Sequence, residues 1–159
     1  MKRILDPCCG SRMFYFDKEN PDVMFCDIRE VETTLCDGRE LVVKPDVIAD
    51  FCDLPFEDNT FYHVVFDPPH MNSLGTGSWL AQKYGVLTGD WAGTLRDGFA
   101  ECMRVLKPNG TLIFKWNEQD IPVSEILDII GYTPIYGHKS GKLQKTHWLA
   151  FLKDAEGGE

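Results

Sequence analysis

The stretch TFYHVVFDPPH (60–70) is an apolar run that stops on an aspartate, two prolines and a histidine. Aromatic and β-branched residues crowd it, so it predicts a buried strand over 60–67. One proline would break a strand. Two prolines behind Asp67 each fix φ at about −65° and push the preceding residue into an extended pose. The strand therefore delivers a carboxylate and a stiff carbonyl to its carboxyl end.

The same pattern recurs outward from it. RILD (3–6) predicts a strand running into the turn PCCGS (7–11), VMFCDI (23–28) a second and DVIADF (46–51) a third. Asp6, Asp27, Asp50 and Asp67 thus stand at four strand ends. Ser11 suits the N-cap of a helix over 11–18. Residues 91–107 predict the clearest helix, with Trp91, Leu95, Phe99, Cys102, Met103 and Leu106 on one face, Asp90 as cap and KPNG (107–110) as stop. TLIFKW (111–116) follows as a strand, and 123–130 as a helix closed by Gly131. PIYGHK (134–139) and THWLAFLK (146–153) read as two strands joined by SGKLQ (140–144).

Strands alternating with helices predict a mostly parallel sheet with helices on both faces, an α/β three-layer αβα sandwich, and the last two strands an antiparallel edge pair. Ligands in such folds sit at the carboxyl ends of the strands, so Asp6, Asp27, Asp50, Asp67 and Trp116 are the residues to question. The 159 residues suit one domain, 1–153, followed by an acidic flexible tail, 154–159. With 43% hydrophobic residues the chain can bury a core. A net charge of −9 argues against strong non-specific affinity for nucleic acid, while leaving a local basic patch open. The six cysteines show no Cys-x-x-Cys spacing and no zinc-like set, so they read as small buried residues and no metal is expected. With no signal peptide and no long apolar run, the expectation is a cytoplasmic protein that meets no membrane, a monomer or homodimer.

Gly10 permits close backbone approach, and a helix start beyond it would favour acceptor or anionic groups. Asp27, about 20 residues on, stands where an acid accepts both hydroxyls of a ribose. Asp50 is placed to accept from an adenine amine, with Phe51 beside the ring. There is no Gly-x-Gly-x-x-Gly to cradle a pyrophosphate. These acids describe a nucleoside pocket without a pyrophosphate binder, which suits S-adenosylmethionine better than NAD.

The succession LDPCCGS (5–11), CDI (26–28), ADFCDLPFEDNTFYHVVFDPPH (49–70) and VLKPNGTLIFKW (105–116) resembles the class I S-adenosylmethionine-dependent methyltransferases, over residues 3 to about 152. DPCCGS resembles the Asp-Pro-Phe-Cys-Gly-Ser-Gly motif of DNA amino-methyltransferases, and DPPH their Asp-Pro-Pro-aromatic motif. The chain also resembles compact single-domain members common in prophages. The resemblance implies a Rossmann-like methyltransferase fold with a seven-stranded sheet. It assigns Asp6, Pro7, Cys8, Gly10 and Ser11 to the cofactor loop, Asp27 with Ile28 to the ribose and adenine edge, and Asp50 with Phe51 to the adenine end. Asp67, Pro68, Pro69 and His70 match the catalytic motif. Arg12 and Met13 replace the usual glycine and small residue after GS, and His70 replaces the aromatic that stacks on a flipped base.

Two acceptors, the Asp67 carboxylate and the Pro68 carbonyl, would hold the two hydrogens of an exocyclic amine and aim its lone pair at a methyl group. The expected activity is methyl transfer to an amino nitrogen of a nucleobase in DNA or RNA, with small-molecule or protein methylation as the alternative. The long polar connection 71–90 offers Trp79, Lys83 and Tyr84 for a flat substrate, or for packing. Lys139, Lys142, Lys145 and Lys153 fall in an acid-free stretch that reads either as a phosphate-facing edge or as edge-strand protection.

Overall fold

The computed structural model describes residues 1–155 except 74, 76 and 77. The end of the expected tail and part of the 71–90 connection therefore lie outside the described residues. In chain order the elements are β1 (Ile4–Asp6), β2 (Val23–Asp27), β3 (Val31–Thr34), β4 (Glu40–Val43), β5 (Val47–Ile48), β6 (Phe61–Phe66), α1 (Trp79–Tyr84), α2 (Trp91–Val105), β7 (Leu106–Asn117), α3 (Val123–Ile130), β8 (Tyr136–Ser140) and β9 (Thr146–Leu152).

Seven strands form one sheet in the order β5-β2-β1-β6-β7-β9-β8. β9 runs antiparallel to both β7 and β8, and the other pairings are parallel. This is the Rossmann-like arrangement expected, with the antiparallel pair at one edge. The strand order reverses between β1 and β6, so the crevice for a ligand opens above their carboxyl ends.

The alternation of each strand decides what that crevice receives. Val64 and Phe66 of β6, and Leu112, Phe114 and Trp116 of β7, face the core with Leu95, Phe99 and Cys102 of α2 and Ile126 of α3. α2 begins on Asp90, whose Oδ1 accepts from the Gly93 amide at 3.0 Å. It ends where the Lys153 ammonium donates to the carbonyls of Met103 (2.7 Å) and Leu106 (2.6 Å). Phe14 and Tyr15 lie on the opposite face, with Tyr15 edge-on to Phe25 at 4.9 Å. α2 and α3 pack against each other over the core, as in the α/β sandwich expected.

The helix expected over 11–18 does not form. Arg12 sits at φ +55°, outside helical space, and its guanidinium donates to the carbonyls of Lys18 (2.5 Å) and Lys44 (2.7 Å). It also lies 3.9 Å above the Phe25 ring. One side chain therefore winds 11–18 into turns. No element was anticipated between residues 29 and 45, where β3 and β4 form an antiparallel hairpin turning at Asp37-Gly38.

Candidate functional site

The β1 carboxyl end holds up the loop that follows it. Asp6 is fully buried, and its carboxylate accepts from the Cys8 amide at 3.1 Å and the Tyr15 hydroxyl at 2.9 Å. Burial pushes its pKa up to about 7 against those hydrogen bonds. The loop is tied to the neighbouring strand by the Cys9 amide, which donates to the Cys26 carbonyl at 2.8 Å. Gly10, at φ +49°, turns its amide onto Asp27 Oδ2 at 2.9 Å.

Asp27 Oδ1 accepts from the Arg29 amide at 3.0 Å and its Nε at 3.3 Å, and Arg29 Nη1 reaches the Gln82 carbonyl of α1 at 2.7 Å. That chain of contacts draws Lys83 and Tyr84 over the crevice. Gly85, at φ +78°, closes α1 against Pro69, where a methyl group would stand 3.0 Å from Cγ. Asp50 Oδ1 caps the Cys52 amide at 2.8 Å, and Phe51 lies edge-on to Phe66 at 5.3 Å.

Asp67 is bonded by Lys115, whose Nζ lies 3.0 Å from Oδ2. Burial pushes the Asp67 carboxyl up, and Lys115 opposes the shift. Lys115 also lies 5.4 Å from the Phe14 ring centre and 5.5 Å from that of Trp148, an ammonium between two aromatic faces. His70 stands edge-on to buried Trp116 at 6.2 Å, and burial lowers its pKa.

These residues line one cavity of about 560 Å³, a volume in the range of small-molecule sites. Pro7, Cys8, Gly10, Ser11, Asp27, Ile28, Asp50, Phe51, Asp67, Pro68, Pro69, His70, Lys83 and Tyr84 all reach it. Three expected residues do not. Asp6 lies beneath the loop, buried and bonded to it, and does not line the cavity. Trp79 stands apart with the Arg39 guanidinium 5.5 Å over its ring. Lys139 is 3.7 Å from Glu118, away from the cavity. Sequence reasoning missed Phe14, Arg29, Lys115 and Trp148, which also line it.

Two carboxylates with spare lone pairs, Asp27 and Asp50, flank the apolar walls Ile28 and Phe51. Residues 11–18 do not form the helix whose N-terminus would stand beside Gly10. Among the described residues there is no cluster suited to a metal ion and no helix long and apolar enough to cross a membrane. The cysteines are free, and burial pushes the Cys8 thiol well above its ordinary pKa, away from nucleophilic duty.

No family model matches the chain, and no curated protein matches it in sequence. Solved structures match in fold. The PH0226 protein of Pyrococcus horikoshii OT3 superposes with a TM-score of 0.60 at 18% identity, over 94% of this chain and 81% of that one. A SAM-dependent methyltransferase of Methanosarcina mazei gives 0.58 at 14% identity, over 97% and 93%. An S-adenosylmethionine-dependent methyltransferase of Mesorhizobium loti gives 0.51 at 12%, over 94% and 90%. The chain therefore has the fold of class I methyltransferases, and at these identities the likeness is one of fold.

Proposed function

We propose that the chain binds S-adenosylmethionine in this cavity and transfers its methyl group to an exocyclic amino nitrogen of a nucleobase in DNA or RNA. The observation that carries the reading is that Asp67-Pro68-Pro69-His70 opens onto the same cavity as Asp27, Asp50 and Phe51. When bound, S-adenosylmethionine supplies an electrophilic methyl group on a sulfonium.

The protein's part is positioning. Asp27 accepts from ribose hydroxyls with the lone pairs left over from Gly10 and Arg29. Asp50 Oδ2 accepts from the adenine amine, with the ring against Phe51. An exocyclic amine is a weak nucleophile because its lone pair is delocalised into the ring. Asp67 and the Pro68 carbonyl accept its two hydrogens, which favours a more pyramidal nitrogen aimed at the methyl group. Asp67 need not take a proton during transfer, because the nitrogen loses it afterwards.

A second reading, a small-molecule or protein acceptor in the same site, is favoured by the net charge of −9 and by Lys139 being engaged by Glu118 rather than free for phosphate. Incubation with methyl-labelled S-adenosylmethionine and DNA, RNA or a metabolite extract separates the two. Label in nucleic acid, lost in Asp67→Ala, supports the nucleobase reading; label confined to small molecules rejects it.

A further inference from the structure

The mechanism above uses the Asp67 carboxylate and leaves its partner without a role. Lys115 stands one residue beyond the register pair Phe66↔Phe114 that joins β6 to β7, and directly opposite Trp148 of β9. The carboxylate, the ammonium and the indole thus come from adjacent positions of the sheet, and all three line the cavity. The 3.0 Å bond to Asp67 Oδ2 uses one of the three ammonium hydrogens. The rings of Phe14 and Trp148 flank the ammonium but accept no strong hydrogen bond. Two donors therefore remain on a group held beside the amine acceptor.

We infer that Lys115 reads the methyl acceptor, donating to a ring nitrogen next to the amine that Asp67 holds. This deepens the proposed function and rests on it. An acceptor and a donor about 3 Å apart match an edge on which an amino group adjoins a lone-pair nitrogen. Such an edge is that of an aminopyridine or aminopyrimidine: the amine donates to Asp67, and the ring nitrogen accepts from Lys115. On its Watson–Crick edge guanine presents its amine beside a ring N–H, so two donors would meet there and one would stay unpaired, at a cost; its N3 lone pair lies on the other side, against the sugar. Lys115 is then a specificity-determining residue that leaves the electrophile untouched. Its side chain is held for this by Asp67 on one side and the two rings on the other.

The test compares single-stranded oligothymidylates that carry one adenine, one 1-deazaadenine (a carbon in place of that ring nitrogen) or one guanine. Binding is measured on the protein saturated with S-adenosylhomocysteine, and methyl transfer on the same oligonucleotides with labelled S-adenosylmethionine. Adenine is expected to bind about 2- to 10-fold more tightly than 1-deazaadenine, as one half of a good two-point base contact requires, with guanine weaker still. In Lys115→Met the adenine and 1-deazaadenine strands should bind alike, and Lys115→Arg should restore part of the difference. Equal affinities in the wild-type protein, with label still entering adenine, overturn the role of Lys115 and leave the nucleobase reading standing. If no strand binds or takes label, the nucleobase reading fails and the inference falls with it. Should Lys115→Met lose S-adenosylhomocysteine binding, the wild-type comparison of the two adenines still decides.

Discussion

Phe51 lies against the bare Cα of Gly98: a methyl group on that glycine would collide with the ring, standing 2.6 Å from Cε2. The α2 helix gives up a side chain at its middle so that the Phe51 wall of the cavity can sit against it, edge-on to Phe66. Glycine ordinarily costs a helix about 0.5–1 kcal/mol relative to alanine, so its presence here serves packing.

Gly98→Ala should therefore not stabilise the protein, despite the better helix former. Overpacking of about 1–3 kcal/mol outweighs the propensity gain, and the displaced ring should weaken S-adenosylmethionine binding several-fold. Urea unfolding and calorimetry check the two halves separately. A stabilised variant with unchanged affinity would show that Phe51 moves aside freely.

Asp6 predicts a pH dependence of stability. Its pKa of about 7 in the fold lies above the unfolded value of about 4, so folding takes up a proton between them. The stability contributed by protonated Asp6 is present below about pH 4 and lost as pH rises through about 7. Relative to Asp6→Asn, the wild-type protein should lose stability between about pH 4 and pH 7, read as diverging urea midpoints. Parallel midpoints would mean that Asp6 is ionised throughout.

The pairing of Asp67 with Lys115 predicts a pH profile for methyl transfer. Burial raises the Asp67 carboxyl and Lys115 opposes the shift, so the acid limb of the single-turnover rate should lie at lower pH in the wild-type protein than in a variant without the ammonium. In Lys115→Met the opposition is gone and Asp67 ionises later, so the rate should be depressed at low pH and recover as pH rises. Lys115→Arg should keep the wild-type profile. A uniform loss at all pH values would instead indicate a positional defect.

Arg104 fastens the segment below the cavity. Its guanidinium donates to the carbonyls of Leu54 (3.1 Å) and Phe56 (2.9 Å), to Asp58 (2.7 Å) and to Glu101. Arg104→Ala should cost about 2–4 kcal/mol in urea unfolding, because the carbonyls and Glu101 lose their donor together. Cofactor affinity should change less than stability, since Arg104 does not line the cavity.

The strand ends were legible because each combines an apolar run with an acid and a turn residue, a signal contained within a few neighbours. α3 was legible in full, Val123–Ile130 with Gly131 at φ +74°, for the same reason. The segment 11–18 misled because Ser11 is a good cap, while the residue that decides its path, Arg12, acts through the distant Phe25 and the Lys44 carbonyl. The hairpin of β3 and β4 did leave a trace, Asp37-Gly38 between alternating residues, with Gly38 at φ +82°. Lys115 was hidden by parity. Attention fell on Trp116 at the strand end, yet alternation sends that indole into the core, where Nε1 donates to the Ile121 carbonyl at 2.9 Å, and turns Lys115 to the site. Nothing local joins Lys115 to Asp67, 48 residues away, or to Trp148.

The central claim is that the acids at the strand ends build a site for S-adenosylmethionine. Calorimetric titration of the purified chain with S-adenosylmethionine tests it most directly, with Asp27→Ala and Asp67→Ala alongside. The account predicts one site, an affinity kept in Asp67→Ala and at least tenfold weaker in Asp27→Ala, where about 1.4 kcal/mol or more of ribose contact is lost. No binding by the wild-type chain at high micromolar S-adenosylmethionine would contradict it.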